Sequence, residues 1–408
     1  MSKINDMIFK IKNKGIKHIV LETVPWLFYD KFDELLGGIV KRIYINAPLK
    51  NVIILESHND FDSNGGAFFD YLIENGFNEK YKIVWFLRNK CPHSLPKNVE
   101  GYRYNRLSIK RWYYHCIAKY ILSEHYPVPA IRKGQISVFM RHGAGGLKKV
   151  SNYFSLPSGI QYILGLSKEY APIEKLESYF TNINQRVVYL GFPSHDYLFK
   201  NDYNELNKVT RKVFKKVILW MPTFRKTVDE RNDSTAEFPL GIPLFNTYEE
   251  YVGINRILAD YDYLLIIKIH PMQDISSLKI QNLSNIRVIT GDDVKKLGID
   301  NYKLMPCCDA MISDYSGAAY DFIQLDKPIA YVLSDMHEYK IGFVVEDVHS
   351  LIGGKEIYTL YDMIDFIKDL SIGKDIYKEK REKLRDFLYT YHDGDNSKRL
   401  ADFLGLTL

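Results

Sequence analysis

Short apolar runs that alternate with polar, helix-like segments are the feature that most restricts the fold of this sequence. From residue 51 onward the runs NVIILES, KIVWFL, KYILSEH, QISVFM and QRVVYLGFP each predict one strand. A second series follows, with KVILWMPTFR, YLLIIKIHP, NIRVIT, DAMISD and PIAYVL. Strands that are apolar throughout are buried on both faces, which is typical of parallel sheets covered by helices. The sequence therefore predicts an α/β fold.

The two series predict two Rossmann-like, doubly wound domains that face a cleft, a GT-B-like architecture. A chain of 408 residues is long for one domain and suits two. We expect an N-terminal segment at residues 1–50, a first Rossmann-like domain at 51–200 and a second at 201–385. Residues 386–408 are expected to form a C-terminal helix that packs back across the cleft.

Composition and charge exclude several classes of protein. A formal net charge of +5 is too small to indicate a nucleic-acid partner. The cysteines have no C-x-x-C spacing, which argues against a zinc site or a disulfide framework and favours a reducing compartment. No apolar run reaches the roughly 18 residues that span a bilayer, and the N-terminus lacks the apolar block of a signal peptide. We expect the protein to stay inside the cell.

The N-terminal segment has an amphipathic pattern. On a helical wheel one face is apolar, formed by Ile4, Met7, Ile8, Ile11 and Ile19. The flank of that face is basic, formed by Lys3, Lys10, Lys14 and Lys17. The stretch VPWLFYDKF adds aromatic residues, and Lys41-Arg42 adds charge. The pattern is typical of a helix lying in an anionic membrane surface. It equally fits a helix packed on the protein with solvated lysines, so both interpretations stay open.

Two histidines follow predicted strands, where ligands of doubly wound sheets bind. His142 lies in a glycine-rich turn after ISVFM, where an imidazole can accept a proton from a hydroxyl. His270 lies in KIHP at the end of YLLIIKIH, where it can hydrogen-bond a diphosphate or protonate a leaving phosphate. The alternatives are a helix cap for His142 and a rim histidine for His270. One histidine at an equivalent strand end in each half favours the catalytic interpretation.

Two further strand ends suit a nucleotide and its phosphates. In MPTFR, Thr223 offers a hydroxyl and Arg225 a planar cation that suits phosphate or a pyrimidine base. A surface loop with a solvated arginine explains that segment equally well. Asp314-Tyr315-Ser316-Gly317 leads into the helix AAYDFIQL, and an uncovered helix N-terminus with a serine hydroxyl binds anions. The alternative is that one of these polar side chains only caps the helix.

A D-x-D sequence, Asp393-Gly394-Asp395, lies between two helical segments of the C-terminal tail. Such a pair of carboxylates can hold a divalent metal that carries a nucleotide diphosphate. A metal-binding D-x-D is expected at the end of an early strand, whereas this one lies between helices near residue 400. We therefore expect no metal. A turn at a helix start near the cleft, formed by Asp393, Gly394 and Ser397, is the better interpretation.

Taken in order, these motifs resemble the CDP-glycerol:poly(glycerophosphate) glycerophosphotransferase family, the teichoic acid primases and polymerases. The resemblance covers roughly residues 135–400. The family's H-G motif corresponds to His142-Gly143, its G-x-P-R-x-D to Gly191–Asp196 and its A-P-T-[WF]-R to Met221–Arg225. Its K-x-H-P corresponds to Lys268–Pro271 and its [ST]-D-Y-S-[SG] to Ser313–Gly317. Its D-x…K-P corresponds to Asp326–Pro328 and its D-G-x-[AN]-[ST] to Asp393–Ser397. Each motif is weak alone, and their common order makes the resemblance strong.

The resemblance implies transfer of an alditol phosphate from CDP-glycerol or CDP-ribitol to a hydroxyl of a lipid-linked or polymeric glycan. CMP would be released, with no metal and no other cofactor. The first domain would bind the acceptor and the second the donor. The protein would work at the cytoplasmic face of the cell membrane as a peripheral protein bound to its anionic surface.

The resemblance also implies a role for each matching position. His142 would be the general base on the acceptor hydroxyl, and His270 would stabilise the departing CMP. The residues expected at the donor pyrophosphate are Ser316, Gly317, Asp314 and Lys268, and those expected at the nucleotide are Pro222, Thr223 and Arg225. The residues expected on the acceptor side are Arg141, Gly143 and His195.

The sequence departs from the family pattern on the acceptor side. The family's W-H-G-T-P-x-K is here RHGAGGLK, and Ser194 stands where an arginine is expected, with His195 beside it. The acceptor and the donor alditol therefore stay open, and a capsule phosphotransferase fits as well as a wall teichoic acid enzyme. A glycosyltransferase of the same architecture that uses a nucleotide-sugar is the alternative, with Asp314 at the sugar-binding turn. A non-enzymatic membrane-surface scaffold is disfavoured by the retained His142, His270 and Ser316.

Overall fold

A computed structural model of the chain describes residues 24–104, 106–141, 143, 145–149, 156–174, 185–200, 204–227 and 231–408. The amphipathic pattern predicted for residues 1–20 and the predicted base His142 lie outside these residues. The described residues form two compact units. One unit lies within Met1–Met140, Pro157–Tyr162 and Leu404–Leu408, and the other lies within Arg141–Leu156 and Ile163–Phe403. The boundaries predicted at residues 50, 200 and 385 stay predictions.

Thirteen strands are described, and they form two sheets. The strands are β1 Lys50–Leu55, β2 Lys82–Leu87, β3 Val99–Arg103, β4 Ala118–Ser123, β5 Ile136–Phe139, β6 Tyr162–Leu164, β7 Arg186–Val188, β8 Lys216–Trp220, β9 Tyr263–Lys268, β10 Ile286–Ile289, β11 Ala310–Ser313, β12 Ile329–Val332 and β13 Lys355–Ile357. The first sheet has the order β3-β2-β1-β4-β5-β6-β7, and the second has the order β10-β9-β8-β11-β12-β13. Every strand pair whose register is described is parallel.

Twelve α-helices are described between and after the strands. They are α1 Val24–Tyr44, α2 Ser63–Glu74, α3 Ile109–Ile117, α4 Ala171–Glu174, α5 Asn204–Asn207, α6 Tyr248–Asp260, α7 Gly291–Leu297, α8 Asn301–Leu304, α9 Ala318–Phe322, α10 Leu360–Ser371, α11 Lys378–Leu388 and α12 Asn396–Leu404. Short 3-10 helices occur at Phe77–Glu79, Pro193–Phe199, Ile275–Ser277, Met305–Cys307, Ile323–Leu325 and Val348–Leu351. The parallel α/β architecture predicted from the apolar runs is confirmed.

Each sheet is buried because its strands are apolar on both faces. All six residues of β9 are buried, as are all four of β11 and β12. In the second unit the side chains of these strands pack with α6 and α10 into a core that includes Trp220, Tyr251 and Phe366. Burial of side chains of this size contributes roughly 1.5–3 kcal/mol each to stability.

Helix α1 packs on the first unit along one side only. Its packed side meets α3, where Gly37 leaves room for the Trp112 ring and Asp33 accepts a hydrogen bond from Arg111. A β-carbon at Gly37 would stand 2.5 Å from that ring, so the two helices approach more closely than a larger residue allows. Within the described part of the chain, no helix is long and apolar enough to cross a membrane.

Candidate active site

The second sheet has a topological switch point between β8 and β11. From β8 the chain runs outward through β9 to β10, and it then returns to β11 on the other side of β8. Register places Trp220 at the end of β8 opposite Ile312 in β11. The loops that follow these two strands therefore start side by side, at the position where ligands of doubly wound sheets bind.

Asp314 joins the two loops. Its carboxylate is fully buried and accepts hydrogen bonds from the Thr223 backbone N–H at 2.9 Å and the Thr223 hydroxyl at 2.5 Å. It also accepts a bond from Arg225 Nη1 at 2.9 Å. The residue before α9 is Gly317, which has no side chain that could cap the helix. Asp314 therefore holds the loop after β8 in place, and it does not act as a helix cap.

Arg225 is buried between two carboxylates. Nε and Nη2 donate to Asp335 at 2.7 and 3.0 Å, and Nη1 donates to both Asp314 and the Thr223 carbonyl oxygen. Asp335 also accepts bonds from the hydroxyls of Tyr315 and Ser234, each at 2.9 Å. Although burial opposes it, the two carboxylates raise the pKa of Arg225. The guanidinium therefore ties three loops together, and most of its N–H groups are already used.

His270 shares a small pocket with the loop after β8. The pocket is lined by Pro222, Thr223, Arg225, Gly241, Ile242, Pro243, Ile269, His270 and Gln273. Nδ1 of His270 accepts the Met272 backbone N–H at 3.1 Å. In the neutral ring the proton is then on Nε2, which makes Nε2 a hydrogen-bond donor. The Phe224 ring, 4.8 Å from the imidazole between centroids, limits its movement.

Lys268 ends β9 two residues before His270 and is 4% exposed. Its ammonium has no hydrogen-bond partner among the described residues. Burial lowers the pKa of Lys268 to about 8, against the attraction of the Asp300 carboxylate. A cation that is buried without a bonded partner is costly, and a ligand that supplies an anion removes that cost.

A glycine-rich turn lies against the start of α9. Ser316 and Gly317 are half-buried there, and the Ser316 hydroxyl accepts the Ala318 backbone N–H at 3.3 Å. A β-carbon at Gly146 would stand 3.3 Å from the Gly317 nitrogen. Gly143, with φ +73°, lies near helix α9 itself, because its β-carbon would stand 3.8 Å from Asp321 Oδ2. The predicted H-G turn and the predicted phosphate turn therefore adjoin.

A family of known proteins matches most of this sequence. The sequence model of the CDP-Glycerol:Poly(glycerophosphate) glycerophosphotransferase family matches residues 39–405. The chain belongs to this family. It is therefore an enzyme of the glycerophosphotransferase type, as the order of the motifs predicts.

Individual relatives resemble this chain over most of its length. The teichoic acid glycerol-phosphate primase of Bacillus subtilis is 24% identical over 88% of this chain and 92% of the relative. The teichoic acid poly(glycerol phosphate) polymerase of Bacillus spizizenii is 26% identical over 87% of this chain and 92% of the relative. A solved structure of the wall teichoic acid polymerase TagF superposes with a TM-score of 0.71 at 19% identity, over 99% of this chain and 98% of that chain. This likeness supports the Rossmann-like, GT-B-type fold.

Two of the residues predicted on the acceptor side, Arg141 and His195, are buried in polar pairs. Arg141 has φ +64°, a left-handed conformation that costs a non-glycine residue free energy. Its Nη1 donates to Glu174 at 2.8 Å, and Glu174 also accepts the Leu166 N–H. His195 Nε2 lies 2.8 Å from Asp321 Oδ1, and the Tyr302 hydroxyl donates to the other oxygen of Asp321 at 3.3 Å.

The turn at Asp393–Ser397 forms a separate polar cluster near the C-terminal helix α12. Asp196 accepts the N–H groups of Asn396 and Ser397, both at 2.8 Å, and so caps α12. Asp393 is bonded by Arg399, and Gly394 has φ +76°. No described hydrogen bond joins this turn to Arg225 or His270. In the described part of the chain no cluster of histidine, cysteine and carboxylate groups could hold a metal ion.

Sequence reasoning missed four carboxylates that are each hydrogen-bonded to a predicted site residue, namely Asp335, Asp321, Glu174 and Asp196. Asp335 lies in the polar stretch SDMHEY after β12, and that position after a strand was a usable signal. Asp196 lies within the matched G-x-P-R-x-D motif. Asp321 and Glu174 gave no local signal, because each is a single carboxylate in a helix whose partner is distant in sequence.

Proposed function

We propose that the protein transfers glycerol phosphate or ribitol phosphate from a CDP-alditol to a hydroxyl of a lipid-linked or polymeric cell-surface glycan, with release of CMP. The observation that carries the proposal is the Thr223–Asp314–Arg225 network, which joins two family motifs at the switch point of the second sheet, beside the pocket of His270. Relatives include both glycerol-phosphate and ribitol-phosphate primases of teichoic acid. The pathway is therefore teichoic acid synthesis or the synthesis of a related capsule.

In the proposed reaction the acceptor oxygen attacks the phosphorus that carries the alditol. A new P–O bond forms, the P–O bond to CMP breaks, and the hydroxyl proton passes to His142. The product is a phosphodiester. Because in-line phosphoryl transfer needs positioning and charge stabilisation more than covalent chemistry, hydrogen-bond donors around the departing phosphate carry most of the catalysis.

Residues of the second unit supply those donors. The Nε2–H of His270 binds the phosphate of the departing CMP, and Lys268 supplies a positive charge nearby. The N–H of Gly317 and the hydroxyl of Ser316 bind the pyrophosphate, at a turn whose residues are half-buried. Pro222 and Thr223 bind the nucleotide, and Arg225 holds their loop in position through Asp314 and Asp335. No metal is needed in this scheme.

The acceptor side uses the turn that contains Gly143. Arg141 and Glu174 fix the residue before the base, and the buried His195–Asp321 pair supports the neighbouring surface. The C-terminal turn at Asp393, Gly394 and Ser397 stabilises the segment that contains His195, through Asp196.

We also propose that the protein is peripheral at the cytoplasmic face of the cell membrane. The side of α1 that does not meet α3 exposes an apolar stripe formed by Phe32, Leu35, Ile39 and Ile43. These side chains are 47–67% exposed, and Lys41 and Arg42 lie in the last turn of the helix. An apolar stripe beside cations fits an anionic lipid surface. A membrane-bound enzyme would meet its lipid-linked acceptor there.

The test of the activity is an assay of nucleotide release. The protein is incubated with CDP-glycerol, CDP-ribitol or UDP- and GDP-sugars in the presence of a lipid-linked glycan acceptor. We expect CMP from one or both CDP-alditols and no UDP or GDP. Absence of CMP from every CDP-alditol would contradict the proposal.

The role of the base is tested by substitution. His142→Ala should reduce transfer by a factor of ~100 or more, the range of a lost general base, while CDP-alditol binding changes little. His337→Ala, at an exposed histidine, is the matched control. Loss of donor binding in His142→Ala would make His142 a donor ligand and not the base.

A further inference from the structure

In the first unit, the position at which doubly wound sheets leave a crevice is at the ends of β1 and β4. From β1 the chain runs through β2 to β3 and then returns to β4 on the other side of β1, so this is also a topological switch point. Glu56 directly follows β1, and Glu124 directly follows β4. Such crevices bind ligands in doubly wound sheets, and none of the residues proposed above for the transfer reaction lies in it.

The two glutamates at this crevice have different tasks. Glu56 is buried, and its oxygens accept the backbone N–H groups of Glu124, His125 and Tyr126 at 2.9–3.0 Å. It therefore shapes the loop after β4. Glu124 is also fully buried, and its Oε2 accepts the Gly65 N–H at the start of α2. Its Oε1 has no hydrogen-bond partner among the described residues.

An unpartnered buried carboxyl oxygen is unfavourable, at a cost of about 1–3 kcal/mol. Burial raises the pKa of Glu124 well above its ordinary value, and that of Glu56 to about 7. A ligand hydroxyl beside Glu124 would remove the unfavourable state by forming the missing bond. The unpartnered oxygen of Glu124 therefore indicates a ligand independently of how many acidic residues lie nearby.

The loop between β1 and α2 is held in a strained conformation. Asp60, Phe61 and Ser63 all have positive φ values, between 53° and 67°. Residues other than glycine in this region cost about 1–3 kcal/mol each, and such strain is concentrated at binding and catalytic sites. The loop is fixed because Asp60 accepts the N–H groups of Arg88 and Asn89 at 2.7 and 2.8 Å.

Aromatic side chains stand on the rim of the crevice. The rings of Tyr104 and Tyr126 are stacked, with centroids 5.1 Å apart and an angle of 4° between planes. Tyr126 is 54% exposed. The imidazoles of His58 and His125 meet edge to face at 4.3 Å. A flat aromatic surface beside hydrogen-bonding groups is the arrangement that binds the apolar face of a ring and its hydroxyls together.

The charge of the crevice selects between ligands. Asp60 and Asp62 provide carboxylates near the end of β1, and Arg88 is the nearby cation that influences the pKa values of both histidines. Burial lowers the pKa of His58 and of His125, so neither offsets the acidic groups at neutral pH. An anionic phosphate would be repelled here, whereas uncharged hydroxyls find acceptors.

We propose that this crevice binds an uncharged, hydroxyl-rich sugar residue of the acceptor, with Tyr126 as the stacking surface and Glu124 and Asp62 as hydrogen-bond partners. The inference rests on the proposed function. It narrows the acceptor to a glycan that offers a neutral sugar at this position, and it disfavours a repeating poly(alditol phosphate) chain there.

The test measures binding without the donor, by calorimetry on the full chain. The probes are octyl disaccharide glycosides containing glucose, galactose or N-acetylglucosamine, and an oligo(glycerol phosphate) of similar length. We expect at least one glycoside to bind, and Tyr126→Ala to weaken it by about tenfold while Tyr126→Phe, which keeps the ring, binds as wild type. Tyr361→Ala, at a tyrosine 80% exposed on α10, is the matched control.

Each outcome decides the inference. Equal affinity for Tyr126→Ala and Tyr361→Ala, no binding of any glycoside, or loss of oligo(glycerol phosphate) binding in Tyr126→Ala would overturn it. The proposed function is tested independently by CMP release. If CMP is released and Tyr126→Ala leaves the acceptor KM unchanged, this inference fails alone. If a glycoside binds at Tyr126 and no CMP is released from any CDP-alditol, the proposed function fails alone.

Discussion

Arg225 is a residue whose chemistry is changed by its surroundings. In the sequence it is one of several cations that follow a strand, and an exposed arginine there would bind phosphate directly. In the structure its guanidinium is held by Asp314 and Asp335, and it lies 4.9 Å from the centre of the Tyr315 ring. The arginine motif of the family therefore acts here as the joint between three loops.

We expect Arg225→Ala to lower the free energy of unfolding by about 3–5 kcal/mol, because two buried carboxylates lose their partner. Urea unfolding followed by circular dichroism measures the change. Arg256→Ala, at an exposed arginine of α6, should change stability by less than about 0.5 kcal/mol. Similar losses for both variants would mean that the network does not stabilise the fold.

The buried side chain of Lys268 should make the free energy of unfolding depend on pH. Its pKa in the folded protein, about 8, lies below the ordinary value of 10.5. Between these two values the unfolded chain binds more protons than the folded protein, so this group makes stability rise as the pH increases from 8 to 10.5. Below pH 8 the buried cation destabilises the fold.

Lys268→Met should therefore be more stable than wild type at pH 7, by up to roughly 3 kcal/mol, and should bind CDP-glycerol more weakly. The difference between wild type and variant should shrink as the pH rises from 8 to 10. Urea unfolding at a series of pH values measures this, with Lys295→Met on the exposed face of α7 as control. A variant that is less stable than wild type at pH 7 would show that the ammonium has a stabilising partner.

Among the elements, most strands were readable from sequence, including the edge strands β7 and β10, whereas β3, β6 and β13 were not. The run KIVWFL matches β2 residue for residue, because a strand buried on both faces must be apolar throughout, whereas the run KVILWMPTFR continues past the end of β8 at Trp220. Strand β3, with the sequence VEGYR, and strand β13, with KEI, lie at sheet edges and are only partly buried. Their apolar signal is too weak to separate them from loops.

The same distinction applies to the site. Thr223, His270 and Ser316 could be found because position after a strand is a local property of the sequence. Their partners could not, because the bonds of Arg225 to Asp314 and Asp335 span 89 and 110 residues. Pairing over such separations is decided by the order of strands in the sheet, which the periodicity of single segments does not specify.

Helix α1 allows the membrane proposal to be tested at the level of one element. Replacing Leu35 and Ile39 together by Gln should weaken binding to phosphatidylglycerol vesicles by tenfold or more, because each exposed apolar side chain contributes about 1.5 kcal/mol or more when buried in lipid. The solvent-facing position of both residues leaves the fold intact.

Sedimentation with vesicles measures this binding. The control variant replaces Val213 and Ile376, which are 87% and 71% exposed elsewhere on the chain, by Gln. Equal loss in both variants would indicate a general effect of surface hydrophobicity, and unchanged binding in the α1 variant would refute a role for this stripe.

For the whole molecule, donor binding should appear as added stability. A ligand that binds only the folded state at 100 times its Kd raises the free energy of unfolding by about 2.7 kcal/mol. We expect this increase with CDP-glycerol or CDP-ribitol, measured by thermal unfolding, and a smaller one in His270→Ala. Added EDTA should change neither the increase nor the rate of CMP release. A requirement for divalent metal would contradict the proposed mechanism.

The parallel sheets have a consequence for how the chain reaches its native state. No two parallel neighbours can be joined by a tight hairpin, so every described strand pair closes over a connection of more than ten residues. Contacts of this kind form late, after the entropy of closing long loops has been lost. Unpaired apolar strands such as β9 are exposed in the meantime and can associate between molecules. Slow synthesis at low temperature and the help of chaperones should therefore increase the yield of folded protein more than changes at the surface.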